Sequence, residues 1–163
     1  MNADQQLAAI ARLDASFKGA GVAYWLFGGW AVDFHVGRVT REHADIDIAV
    51  WQSDVGPVAT LLANDGWIDV SPPDSDGYNS YERGAIRLDV AVLARDSDGI
   101  VYTPLRAGSG EWPVGSFDAD VRNLAWTTAH VISRASLIAD KSEVRDDEAA
   151  AAKDAADIAV LSW

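Results

Sequence analysis

The segment DIDIAVW (45–51) does most to limit what this chain can fold into. Its apolar positions read as a buried strand, yet Asp45 and Asp47 stand inside it. On a strand, residues i and i+2 point to the same face, so the two carboxylates project together while Ile46 and Ile48 go to the other side. Ionised carboxylates are costly to bury, and two side by side repel unless a proton or a cation lies between them. Two arrangements answer this: an edge strand with one wet face, or a cation site. Magnesium takes oxygen ligands and is commonly held by one or two carboxylates together with substrate phosphates. Asp89, in IRLDVAVLA (86–94), is a third acid inside an apolar strand run. If its strand lies beside the first, three carboxylates converge. Three can hold two metal ions, or hold metal while one takes the proton of an attacking hydroxyl.

Upstream, VAYWLF (22–27) reads as a short buried strand that runs into Gly28-Gly29, and WAVDFHV (30–36) reads as a brief helix. Glycine lets a phosphate approach backbone N–H groups closely, and a helix N-terminus favours an anion. A glycine pair also serves as a plain turn. Specificity comes from the order: strand, Gly-Gly, short helix, polar loop VTREHA (39–44), strand with two acids, later strand with one.

The rest of the chain supplies an α/β frame. Leu7, Ile10, Leu13 and Phe17 have the spacing of one helix face over 5–18, which Gly19 and Gly21 would end. Ser53 or Asp54 is placed to cap a helix through Leu62 that stops near Gly66. WIDV (67–70) reads as a strand, SYER with 86–94 as a hairpin about Gly84, and IVYT (100–103) as a further strand. LRAGSGEWPVGS (105–116) reads as a glycine-rich loop and 121–133 as extended. The alanine-rich tail reads as helical with a polar break around Arg145-Asp146. The pattern predicts a mixed β-sheet flanked by helices, with a helical C-terminus. The 163 residues suit one domain.

The chain carries 13 basic and 25 acidic residues, a net charge of -12. That balance repels phosphate backbones and argues against a nucleic-acid substrate, whereas it favours a cationic small molecule or a basic protein, or simply aids solubility. Without cysteine there are no disulfides, thiolate metal sites or thiol nucleophiles. No apolar run approaches membrane-spanning length, and the amphipathic, acid-bearing N-terminus does not read as a secretory signal. The expected location is the cytoplasm, with no membrane partner.

The run GGWAVDFHVGRVTREHADIDIAV resembles the small antibiotic nucleotidyltransferases of the DNA polymerase β-like superfamily, which adenylylate aminoglycosides or lincosamides. Gly28, Gly29, Trp30, Asp33, Gly37, Arg38, Thr40, Arg41, His43, Asp45 and Asp47 fall where that pattern expects them. The likeness is strong over about 22–51, fair through Asp89 and weak beyond, where KDAADIAVL in the tail is similar to relatives.

It implies a single nucleotidyltransferase domain over 1–163, with a catalytic core to about 115 and a C-terminal strand and helices from about 116. The implied activity is magnesium-dependent transfer of NMP, AMP foremost, from an NTP to a hydroxyl, releasing pyrophosphate. By position, Asp45 and Asp47 would bind metal, as a pair of ions, and Asp89 would be base, ligand or both. Gly28 and Gly29 would lie against the triphosphate. A protein-modifying relative would have a shorter interval between glycines and acids, and a non-catalytic relative an incomplete acid set. A chain this short suggests a homodimer in which a second copy supplies a wall of the acceptor pocket.

Other residues carry two readings each. Arg41 either holds triphosphate oxygens bidentately or braces the loop, and Lys141 either reaches a phosphate or is solvated. Asp33 fits a bracing role with Arg38, Arg41 or His43 as partner. His43 orients rather than ligates, because magnesium prefers oxygen. Glu82, Asp74, Asp76 and Glu111 are loop acids able to face a cationic acceptor, with Tyr78 and Trp112 as stacking or packing residues.

Overall fold

A computed structural model describes residues 2–163. The first helix, α1 (Ala3–Ala20), starts where the Asn2 side chain accepts from the Asp4 N–H and ends at Gly21, whose φ of 69° suits a residue without Cβ. Gly19 stays inside the helix; only the second glycine ends it. The predicted apolar face is buried: Leu7, Ile10, Leu13 and Phe17 are each at most 3% exposed.

The strands follow as β1 (Tyr24–Phe27), β2 (Ile46–Trp51), β3 (Ile68–Asp69), β4 (Tyr78–Arg83) and β5 (Ile86–Arg95), in the sheet order β1-β2-β5-β4-β3. The β4–β5 hairpin turns at Gly84, as expected. The β2–β5 pair alone in this row is parallel; its neighbours run antiparallel. A parallel pair needs a crossover. Here α3 (Val55–Asn64), β3 and β4 intervene. Asp54 takes the position before α3 but its side chain makes no cap hydrogen bond, because a short 3-10 turn over Gln52–Asp54 leads into the helix instead.

Two expectations need correction. The glycine-rich stretch is not all loop: β7 (Gly108–Glu111) pairs antiparallel with β6 (Val101–Leu105), which extends from the end of β5. Cross-strand hydrogen bonding supplies what glycine-poor propensity does not. The extended stretch after residue 120 is a hairpin, β8 (Val121–Leu124) and β9 (Thr127–His130), turning at Ala125 with φ 52°.

The sheet has unequal faces. Ile46, Ile48, Val50, Leu88 and Val90 join the main core with α1, α2 (Gly28–Val36) and α3. The opposite face carries Ala49, Ala91 and Leu93 under a partial cover of Trp25, Phe27, Trp51, Trp112 and Phe117. The C-terminal helices α4 (Arg134–Lys141) and α5 (Glu148–Leu161) pack on each other and on α2, which closes one end of that second face.

Candidate active site

The acids of the opening segment lie on the thinly covered face. In the parallel register Asp47 stands opposite Asp89. Asp45 immediately precedes β2. Asp45, Asp47 and Asp89 each bring a carboxylate oxygen within 4.8 Å of the others. Burial raises the Asp47 carboxyl to about 8, helped by the charges of Asp45 and Asp89, with Lys141 opposing. Asp45 is raised too, first by burial and then by Asp89, and Arg87 pulls it back. The third acid is not free: Asp89 accepts from Ser80 Oγ at 2.5 Å and from Arg87 Nε at 3.1 Å.

The glycines are tied to this cluster by close contact. Gly28, at φ 66°, leaves no room for a Cβ, which would overlap Asp47 Oδ2. A Cβ on Gly29 would run into the His43 ring and Arg41 Nη2. The absence of both side chains is therefore demanded by protein neighbours, independently of any phosphate.

A buried polar chain braces the loop between α2 and β2. Asp33 is fully buried and accepts from Thr40 N at 3.1 Å and Thr40 Oγ1 at 2.5 Å. His43 Nε2 lies 2.6 Å from Asp33 Oδ2, and Arg41 Nη1 lies 3.1 Å from His43 Nδ1. A guanidinium can only donate. Nδ1 therefore accepts, and Nε2 carries the proton shared with Asp33. His43, not Arg38 or Arg41, is the ionisable partner of Asp33. Trp30 stacks beside the His43 ring at 4.6 Å and donates from Nε1 to Gln6 Oε1 at 3.1 Å.

The chain continues into the C-terminal helices. Arg41 binds Asp157 through Nε at 3.1 Å and Nη2 at 2.9 Å. Lys141 Nζ lies 2.8 Å from Asp157 and 3.3 Å from Asp154. Burial works to raise Asp157, but hydrogen bonds from Arg41 and Lys141 outweigh it and hold the carboxyl below its ordinary range.

A cleft of about 310 Å³ brings together Gly28, Gly29, Arg41, Asp45, Asp47 and Lys141, with Asp140, Arg145, Lys153 and Asp154 on its C-terminal wall. Beside it, a pocket of about 500 Å³ shares Phe27, Asp140 and Arg145 with the cleft and is lined also by Tyr78, Glu111, Trp112 and Glu143. Trp112 both lines this pocket and packs on Phe27 at 5.2 Å. Asp76 is instead occupied by the Arg106 N–H, and Glu82 sits in β4 opposite Arg87. Neither they nor Asp74 line the pocket.

The sequence profile of the aminoglycoside-2''-adenylyltransferase family matches residues 9–161. The chain belongs to that family. Within the adenylyltransferase family its local likeness is concentrated. A stretch of 43 residues is 42% identical to a 2''-aminoglycoside nucleotidyltransferase of Escherichia coli, covering 26% of this chain and 24% of that protein. A stretch of 32 residues is 56% identical to a lincosamide resistance protein of Staphylococcus haemolyticus, 20% of each chain. These curated relatives are thus matched over a quarter of their length or less.

The fold match is far longer. The lincosamide antibiotic adenylyltransferase LnuA, solved with lincomycin bound, superposes with a TM-score of 0.71 at 25% identity over 92% of this chain and 91% of that one. ANT(2'')-Ia, solved with adenylyl-2''-tobramycin, gives 0.75 at 23% identity over 96% and 87%, a likeness of fold.

Asp140, Glu143, Arg145, Asp154 and Asp157 were not singled out from sequence. Asp154 and Asp157 are three apart on a helix, the spacing of a shared face. That spacing is shared by many solvated acids; the likeness of KDAADIAVL to relatives was the second signal.

Proposed function

We propose that this adenylyltransferase-family chain, as one unit over 1–163, transfers NMP from an NTP to a hydroxyl of a small antibiotic-like amine, releasing pyrophosphate. The observation that carries the reading is the convergence of Asp45, Asp47 and Asp89 beside the Gly28-Gly29 turn. The residues fit magnesium: all donors are carboxylate oxygens, and Asp47 is an acid raised first by burial and then by the neighbouring charges of Asp45 and Asp89. Bound there, the metal would neutralise phosphate charge and orient the α-phosphoryl group.

The protein's own residues do the rest. Asp45 and Asp47 are the proposed ligands. Asp89 accepts the acceptor's hydroxyl proton and can also touch the metal. Ser80 and Arg87 hold Asp89 in an aimed orientation. Gly28 and Gly29 open the start of α2 to the triphosphate, and Arg41 and Lys141 set positive potential at the cleft, positioned by Asp157. The neighbouring pocket is the acceptor site: Glu111, Asp140 and Glu143 offer charge to amino groups, and Tyr78 and Trp112 offer apolar faces. Dependence on NTP and magnesium agrees with a cytoplasmic location.

Mass spectrometry after incubation with magnesium, each NTP and a panel of aminoglycosides and lincosamides tests this. The expected product is an acceptor heavier by one nucleoside monophosphate. No such product with any NTP and any acceptor would overturn the reading.

A further inference from the structure

The cations of the cleft are unequally committed. Arg41 has five N–H donors. Nε and Nη2 serve Asp157, while Nη1 serves the Glu42 carbonyl and His43. Lys141, 7% exposed, gives two of its three donors to Asp154 and Asp157. Both are occupied chiefly in joining the loop before β2 to the C-terminal helices.

Arg145 differs in three ways. It stands in the connection between α4 and α5, with its side chain 35% exposed. Its guanidinium is held at three points: Nε donates to Asp154 at 2.9 Å, and Nη2 donates to the Asp140 carbonyl at 3.2 Å and lies 3.6 Å from Asp140 Oδ1. Nη1 has no hydrogen-bond partner among the described residues. It also lines both the carboxylate cleft and the neighbouring pocket. A planar donor group with Nη1 unspent matches phosphate oxygens better than the point charge of Lys153.

We propose that Arg145 is a substrate-contacting residue of the transfer, binding phosphate oxygens of the nucleotide where the cleft meets the acceptor pocket. The assignment rests on the nucleotidyltransferase reading above. In that reaction the acceptor oxygen forms a bond to the α-phosphorus as the bond from α-phosphorus to the bridging oxygen breaks. Pyrophosphate leaves with that electron pair, and the hydroxyl proton passes to a carboxylate of the cluster. Negative charge grows on the leaving oxygens, which a cation on the shared wall would stabilise. Arg145 thereby does what Arg41 and Lys141, bound to Asp157, have few donors left to do.

The alternative is that Arg145 only fixes the α4–α5 connection through Asp154. Calorimetric titration of inorganic pyrophosphate with magnesium into the full chain separates the two. Arg145→Ala should weaken pyrophosphate binding roughly 10- to 100-fold, as expected for lost hydrogen bonds to a charged group. Arg145→Lys should recover part of it, because charge returns without the fork. The kcat for NMP transfer should fall by about 10²–10³ in Arg145→Ala. Its melting midpoint should drop by no more than about 2–4 °C, since a partly exposed ion pair contributes little. Wild-type pyrophosphate affinity and turnover in Arg145→Ala would overturn the assignment while leaving the enzyme reading intact. Failure of the unaltered chain to bind pyrophosphate at all would overturn both.

Discussion

Asp47 of β2 faces Asp89 of β5 across a parallel strand pair, with Asp45 completing a cluster whose oxygens lie within 4.8 Å of one another. Burial, and then the charges of Asp45 and Asp89, raise the Asp47 carboxyl.

The first prediction is a stability profile. The folded-state pKa of Asp47 is raised, to about 8, so the folded chain holds this proton more tightly than the unfolded chain does. That contribution is fully present below about pH 4, near the unfolded value, and is lost as pH rises through about 8. Asp47→Asn carries no such titration. In EDTA the variant should match the wild type at low pH and melt higher at pH 8–9, by roughly 2–4 °C per kcal/mol of burial and charge cost relieved. Magnesium should raise only the wild type, and the variant should be inactive. Parallel melting curves across this range would count against the pKa assignment.

The second prediction separates the roles of Asp89. Asp89→Asn should cut kcat by roughly 10²–10⁴. If the residue is chiefly a base, magnesium-nucleotide affinity persists; if chiefly a ligand, affinity falls with rate. Titration of the variant decides between them, and normal affinity with normal turnover would leave Asp89 an ordinary strand residue.

A third prediction uses two glycines as a matched pair. Gly28 and Gly37 both have positive φ, but only at Gly28 does a Cβ meet the Asp47 carboxylate; Gly37 has open space. Alanine at either position should cost about 1–2 kcal/mol of backbone strain. Gly28→Ala should in addition displace Asp47 and lose magnesium affinity, read by calorimetry, while Gly37→Ala keeps it. Equal affinities would show that the Asp47 contact is tolerant.

The fourth concerns the part-buried ion pair of Arg41, 27% exposed, and Asp157. Removing the carboxylate takes a partner from Arg41 and from Lys141, so Asp157→Ala should destabilise by about 1–3 kcal/mol. The Arg41→Ala/Asp157→Ala double variant should lose less than the sum of the singles in denaturant unfolding. Additive losses would mean that the two side chains act independently.

What could be read before any coordinates follows from range. Asp45, Asp47 and the Gly28-Gly29 turn declare themselves through neighbours two or three residues away, and Asp89 through its own strand context. The helix face of α1 is equally local. Asp157 was hidden, because an acid in an alanine-rich helix looks solvated until that helix packs against a loop 116 residues earlier. Likewise β7, whose glycines offer no strand propensity, exists through its pairing with β6. The reason for the glycines was only partly legible: their pattern pointed to a phosphate, whereas Asp47 and His43 already exclude side chains there.

The Arg41–Asp157 link also has a temporal meaning. A ribosome delivers the glycine turn, the loop and β2 long before α5. Until that helix emerges, Arg41 lacks its carboxylate partner, and Lys141 lacks both of its own. The cleft is therefore finished only once α5 has been made. On the proposed reading, a nascent chain holding all three clustered acids would still be a poor trap for nucleotide.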